Sequence, residues 1–383
     1  MTLQFLAADL RTGRVLADLP GLVPQWPLSR VLGAYSTATM TLNIDRTTSP
    51  SWERATLHGA SAIHVYDSDD PNMRPLWSGI VNRRQRKPTT NEIQLSLISG
   101  EGYLDRRYVG DKTYSEGQNL IVDDLVTSFV KDTPTTPGLP ITVSYSGDGT
   151  SRDRAYALSD HTTVYARLQQ LMSVDGGPEW TMDWDWDDAH TSILPTLKVA
   201  DRLGSSPRDG LSPATVWEMP GCLTDAVMTE DYSAGKGANR VTAYSSGQGS
   251  AAPTSGPVVA ADLQGRPWFE YAWSPSSSIT DTSILLSWAQ RAVMIMYDGA
   301  VTVALEADRS SAPMLGRDWW LGDDIAYRIG SPRYRLDDGS LSDPVVPVYP
   351  NGLSGTVRVV GLDIRESTVT PVAVDTDSFG EVA

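Results

Sequence analysis

The feature that most limits this chain is a two-residue alternation of apolar and polar side chains, repeated in short bursts. In residues 37–44, Ala38, Met40, Leu42 and Ile44 fall on one side, and Thr37, Thr39, Thr41 and Asn43 on the other. Successive side chains of a strand point to opposite faces, so this period specifies a half-buried strand. Residues 61–66, 76–83 and 92–99 repeat the theme, divided by turn formers such as Ser68-Asp69-Asp70-Pro71-Asn72 and Lys87-Pro88-Thr89-Thr90-Asn91. Short strands at this spacing predict a β-barrel or sandwich for residues 1–110.

The character changes after Tyr103. Ile121, Leu125, Ser128 and Phe129 share one face of a helix expected over 120–130. Val164, Leu168, Leu171 and Met172 do the same over 160–174, where Asp160 is expected to cap the helix for roughly 1 kcal/mol. Gly176-Gly177-Pro178 ends it. The next stretch alternates sharply, with Trp180, Met182, Trp184 and Trp186 opposite Asp183, Asp185 and Asp187. It reads as a strand with an aromatic side and an acidic side facing water, partnered by 195–199. Residues 111–212 thus predict a small inserted α+β domain.

Residues 204–213 and 245–257, rich in Gly, Ser and Pro, read as loops or linkers. Strands are expected at 224–229 and 239–244, separated by a Gly235-Lys236-Gly237 turn. Residues 213–257 are therefore strands and linker, and 216–245 are candidates to complete the first barrel. From Asp281 a helix is expected to Tyr297, with Leu285, Trp288, Ala292 and Ile295 as its buried stripe. Strands follow at 301–307, 324–329, 355–363 and 368–374, so 258–383 predict a C-terminal β-barrel carrying the helix. The fold class is mainly β with an α+β insertion.

At 383 residues the chain is too long for one ordinary core and predicts two or three domains. It carries 12 Trp and 15 Tyr against 4 Phe. Side chains with an apolar body and a polar tip suit surfaces buried on assembly, and equally suit β packing. A net charge of −16 excludes wrapping of nucleic acid, which needs cations to displace phosphate counterions. It also disfavours adhesion to anionic membranes. One cysteine, Cys222, permits no internal disulfide, implies cytoplasmic synthesis, and reads as a small buried hydrophobe. Asp9 and Arg11 interrupt the N-terminal apolar stretch, so neither a signal peptide nor a membrane span is expected.

No constellation of catalytic residues stands out. His58, His64, His161 and His190 lack metal-ligand spacing. The Asp183-Asp185-Asp187-Asp188 group lacks the glycine turn and terminal glutamate of a calcium loop. Nothing singles out a carboxylate pair, a nucleophile elbow or a phosphate-cradling loop. The expectation is no enzyme, no metal and no cofactor. Candidate interface residues are Trp180, Trp184, Trp186, Trp319 and Trp320, together with Arg83, Arg84 and Arg86 from the one strong basic run. The run reads as a solvated strand end or a docking stripe for an acidic neighbour. The Trp180, Trp184 and Trp186 face alternatively suggests sugar stacking by a carbohydrate-binding or cell-wall-degrading protein.

The C-terminal third carries the sharpest signal. An amphipathic helix and a strand precede Trp320-Leu321-Gly322-Asp323-Asp324-Ile325-Ala326-Tyr327, a proline-rich excursion, and Arg358-Val359-Val360-Gly361-Leu362-Asp363-Ile364. This order resembles the closing barrel of minor tail proteins from long-tailed phages, especially those of actinobacterial hosts. Gly100-Glu101-Gly102-Tyr103-Leu104-Asp105-Arg106-Arg107 and Leu168-Gln169-Gln170-Leu171-Met172 leading to Gly177-Pro178-Glu179-Trp180 are similar to the same proteins, so the resemblance spans most of 75–365. It implies two tail-tube-like barrels with an inserted α+β domain, and a baseplate or tail-tip hub of the virion. Such a hub forms a homotrimer ring and closes the tail tube beneath the distal tail protein. Its further partners are the tape measure protein and other tail-tip or fibre proteins, with DNA as transient cargo and no membrane. The few residues beyond Ile364 imply the hub alone, without a lytic domain. A weak echo between Trp77-Ser78-Gly79 and Trp320-Leu321-Gly322 suggests two related barrels.

Overall fold

The computed structural model describes residues 2–45, 48, 50–174, 176–206, 213–245, 252–260, 265–274, 281–338 and 340–375. The linkers expected within 204–213 and 245–257 fall largely on 207–212 and 246–251, outside the described residues. The chain divides into two compact units. The first comprises Met1–Thr224, Glu306–Gly355 and Val359–Val372, and the second Asp225–Leu305, Thr356–Arg358 and Ala373–Ala383.

The first unit opens with β1 (Leu3–Asp9), β2 (Val15–Asp18), β3 (Leu22–Pro24), β4 (Leu28–Val31) and β5 (Thr37–Asn43). A short helix α1 (Trp52–Ala55) leads to β6 (Ser61–Asp67), β7 (Pro75–Lys87) and β8 (Glu92–Ser99). The sheet order is β2-β1-β6-β7-β8-β5-β3. Because β2 and β3 follow one another directly in the chain, its two edges meet through the turn at 19–21, where Leu19 N donates to Phe5 O and Leu22 N to Leu19 O. The alternation in 37–43 does what its period requires. Ala38, Met40 and Leu42 are buried, and Met40 faces Leu95 and Leu42 faces Ile93 across the β5–β8 ladder. A bulge between Val81 and Arg83 ends the buried half of β7, beyond which its residues are mostly exposed.

The inserted segment runs β9 (Lys112–Gly117), α2 (Gln118–Phe129), β10 (Thr142–Tyr145), β11 (Ser151–Tyr156), α3 (Val164–Met172), β12 (Glu179–Trp186) and β13 (Ile193–Ala200). It forms a three-stranded sheet β10-β13-β12 and a β11-β9 pair. The apolar stripes of α2 (Ile121, Leu125) and α3 (Val164, Leu168, Leu171) bury against Trp180, Met182 and Trp184, in one core with Leu6, Ile80 and Leu104. The cap of α3 differs from expectation. Thr163 Oγ1 accepts from Ala166 N at 3.2 Å, while Asp160 lies a turn earlier and pairs with Arg167 at 2.6 Å. The β-conformation needed at a cap falls on Thr163.

After β14 (Thr215–Met219) and β15 (Leu223–Asp231), the second unit contains β16 (Arg240–Ala243), β17 (Val258–Val259), β18 (Glu270–Trp273) and α4 (Thr282–Met296). Its sheet order is β17-β16-β18. Asp281 caps α4, its side chain accepting from Ser283 N at 2.8 Å. The buried stripe is Leu285, Ala289, Ala292, Val293 and Met296, packed on Ala238, Val241 and Ala243. Trp288 was expected within that stripe but is 40% exposed, and Ile295 is only half-buried. Two alanines let the helix approach the sheet closely, so the bulky pair lies to one side.

The chain closes with β19 (Ala300–Asp308), β20 (Asp324–Ile329), β21 (Leu353–Ile364) and β22 (Thr368–Asp375). In the first unit these give a second sheet, β14-β20-β21-β22, with Ala307 and Asp308 paired to Val369 and Thr368. Strand β4 leaves the first sheet and pairs with β21, Arg30 opposite Leu362 and Leu28 opposite Ile364. Trp217 on β14 and Trp319 meet edge-on at 5.1 Å, both buried. The echoed tryptophans occupy different settings, since Trp77 lies within β7 and Trp320 precedes β20.

Candidate functional site

The densest chemistry of the first unit gathers at Asp183, in the middle of β12. Sequence alternation puts Asp183 opposite the tryptophan face, as expected, but that face is covered rather than solvated: the side chain is 1% exposed. Arg30 Nη2 reaches it at 2.8 Å, Lys198 Nζ at 2.8 Å and Arg74 Nη2 at 3.1 Å. Trp320 Nε1 donates to both carboxylate oxygens at 3.1 Å. Each donor comes from a different stretch of chain, so one carboxylate fastens β4, the approach to β7, the β12–β13 pair and the turn before β20. The guanidiniums of Arg30 and Arg74 also lie over the Trp320 ring, 4.9 and 4.3 Å from its centroid. Arg30 donates further to Met182 O at 2.9 Å.

A buried carboxylate survives only when its charge and lone pairs are matched. Burial alone would raise the pKa of Asp183, but Arg30, Lys198 and Arg74 hold it far below the usual carboxylate range. Glu101, also buried, shows the opposite balance. Desolvation raises its pKa more than Arg30 and the bond from Met182 N at 3.1 Å lower it. Nearby, His64 Nδ1 bonds Ser78 Oγ at 2.8 Å and its ring tilts against Trp184 at 5.0 Å. Complete burial pushes its pKa down to about 3, so the imidazole is neutral.

The same logic explains the Leu321-Gly322-Asp323-Asp324 turn. Asp323 accepts from Ser205 N at 2.7 Å and Trp320 N at 2.7 Å. Asp324, buried, takes Arg202 at 2.6 Å and Ser206 Oγ at 2.6 Å. Gly322 sits at φ +92°, and a β-carbon there would fall 2.6 Å from Leu203 O, so only glycine fits. A second buried pair, Arg309 to Asp67 at 2.5 Å, joins the end of β6 to the turn after β19.

The other sequence candidates scatter. Trp180 and Trp184, two of the three rings offered as a sugar-stacking face, are core residues, and so is the interface candidate Trp319. Trp186 is half-buried, donates to Met73 O at 2.9 Å and stacks on His190. Arg84 and Arg86 turn onto α1, binding Glu53 O and the Glu53 carboxylate, while Arg83 is exposed. Cys222 is buried. The fastening residues Arg30, Arg74, Lys198, Asp67 and Arg309 carry no local signal, because nothing in the neighbouring sequence marks a lone charged side chain as one that will be fastened. Among the described residues no group of three His, Cys, Asp or Glu could hold a metal, and no helix is long and apolar enough to cross a membrane.

No protein-family model matches the chain, and no curated protein matches it in sequence. Solved structures match it in fold, among them two tail proteins. The 43 kDa tail protein of prophage MuSo2 from Shewanella oneidensis is similar at a TM-score of 0.53 and 12% identity, over 98% of this chain and 99% of that one. The tail protein from Neisseria meningitidis MC58 is similar at 0.50 and 11%, over 97% of both. A chain of the Francisella PdpA–VgrG complex gives 0.50 and 8%, over 97% of this chain and 57% of that one. The protein therefore shares a mainly β tail-protein fold from end to end.

Proposed function

We propose that this chain is the tail-tip hub of a phage-like particle, a structural protein that closes the tail tube and supports host attachment and passage of DNA. The observation that carries the reading is the likeness to two tail proteins, one of them from a prophage, over nearly the full length of all three chains. The buried fasteners suit a part that must keep its modules rigidly registered while neighbours pull on them. The net charge of −16 suits a wall that DNA slides past without adhering. In this reading the protein assembles as a homotrimer ring with the distal tail protein and tape measure protein, and performs no catalysis. Electron microscopy of particles labelled with antibody against this chain tests the placement. Label at the tail tip is expected; label on the capsid, or none, overturns it. Native mass measurement tests the ring, for which a lone monomer that never joins tail components counts against.

A further inference from the structure

In the second unit, α4 carries more apolar surface than its own sheet covers. Leu285, Ala289, Ala292 and Met296 share one face of the helix and bury against the sheet. Ile284, Trp288, Arg291 and Ile295 repeat the same spacing one residue earlier, so they form a neighbouring stripe along the helix. That stripe is left open: Ile284 is 46% exposed and Trp288 40%, and Met294 beside Arg291 is 73% exposed. The Trp288 ring is set in place by Trp273, which it meets edge-on at 5.5 Å. Arg291 is the one charge in residues 282–297, which contain no acid. It is exposed and makes no ion pair among the described residues.

A surface helix normally turns a charged face to water, and a helix this poor in charge is one that packing covers more widely. Charge narrows what covers it. An arginine enclosed in an apolar contact needs a carboxylate from the other side, because a buried, unpaired cation is costly. The stripe therefore suits an acidic occupant and rejects a basic one. This chain is itself acidic, with 47 Asp and Glu to 31 Lys and Arg. A surface free of acids is also where two chains of charge −16 meet with least repulsion. We propose that the Ile284, Trp288, Arg291 and Ile295 stripe docks on an acidic surface of a second copy of this chain. The contact is head-to-tail. Two such stripes set face to face would bring Arg291 no carboxylate, since 282–297 contain none. Head-to-tail contacts close into rings. The stripe is thus one half of the subunit contact in the homotrimer proposed above, and the inference rests on that reading.

The test is sedimentation of the full chain over a range of concentrations, with unfolding midpoints to show that each variant is folded. Wild type is expected to assemble reversibly to a trimer. Arg291→Glu sets an acid against the acidic surface and is expected to raise the dissociation constant at least about tenfold. Ile284→Ser removes apolar contact on an exposed turn and is expected to weaken assembly less. A wild type that stays monomeric at every concentration, or stops at a dimer, overturns the proposal. So does assembly that either variant leaves intact, or that Arg291→Glu strengthens. Those results leave the tail-tip placement standing on the antibody label. Conversely, assembly through α4 in a protein that labels no tail sinks the placement and spares this contact.

Discussion

The joint at Asp183 and the edge at β18 place an arginine over a tryptophan at nearly the same distance, 4.3 Å for Arg74 on Trp320 and 4.4 Å for Arg240 on Trp268. In both, the arginine also pairs with a carboxylate. The resemblance ends there. Asp183 is sealed among three cations and an indole N–H, with core on either side, whereas Glu270 and Trp268 face water. The contrast teaches that an Arg–Trp–carboxylate constellation has no fixed worth. Buried, it is a fastener whose loss strands several charges; exposed, it is a surface feature screened by solvent.

The largest expected effect breaks the buried member. Asp183→Ala leaves Arg30, Arg74 and Lys198 facing an empty place, and removing one partner of a buried ionic cluster costs about 3–5 kcal/mol. Urea unfolding followed by tryptophan fluorescence would report it as a lower midpoint. A loss below about 1 kcal/mol would mean that Asp183 behaves as a surface acid.

Acid sharpens the comparison next. His64 titrates near 6.5 when unfolded but about 3 when folded, so the unfolded chain takes up the proton first and stability falls as pH drops below 6.5. Between pH 7 and pH 5 this amounts to about 2 kcal/mol, and the difference between wild type and His64→Leu should change by that amount over this range. Asp183 contributes nothing there. Its folded pKa is depressed, so its stabilisation is complete above the ordinary carboxylate value of about 3.9 and is lost only in stronger acid. Glu101, raised in the fold by burial, has the opposite sign and returns stability as pH falls through its folded value. A pH-independent difference between wild type and His64→Leu would show that the imidazole is reached by solvent.

The smallest effects set the two tryptophans side by side. Trp320→Phe keeps the ring for both arginines but deletes the donor to Asp183, at a cost of about 1–3 kcal/mol. Trp268→Ser, on the open edge, should change stability by no more than about 0.5 kcal/mol. Reversal of that order in matched melts would undo the distinction drawn between the two regions.

Much of the fold is legible locally. The alternation of 37–43, the amphipathic stretches that became α2, α3 and α4, and the Asp281 cap are short-range signals, and short-range sterics and hydrogen bonding answer them. The misreadings fall where neighbours decide. Trp288 fits the apolar period of α4, yet the small residues Ala289 and Ala292 take the contact with the sheet. The run Trp268-Phe269-Glu270-Tyr271-Ala272-Trp273 is conspicuous in the chain. Yet aromatic alternation is the same for a central strand and an outer one, so its open side was not readable.

Local order thus settled what the strands and helices would be, and composition settled the acidic, single-cysteine character of the chain. Which acid would be buried was left to the tertiary structure. Asp183, Asp185 and Asp187 are equivalent by period. Asp185 meets Arg74 at 3.8 Å and stays half-exposed, whereas Asp183 gathers cations from positions 30, 74 and 198 and the indole from 320, residues that lie up to 153 positions away along the chain. Desolvation and Coulomb matching act through space, and no local pattern records which distant cation will arrive.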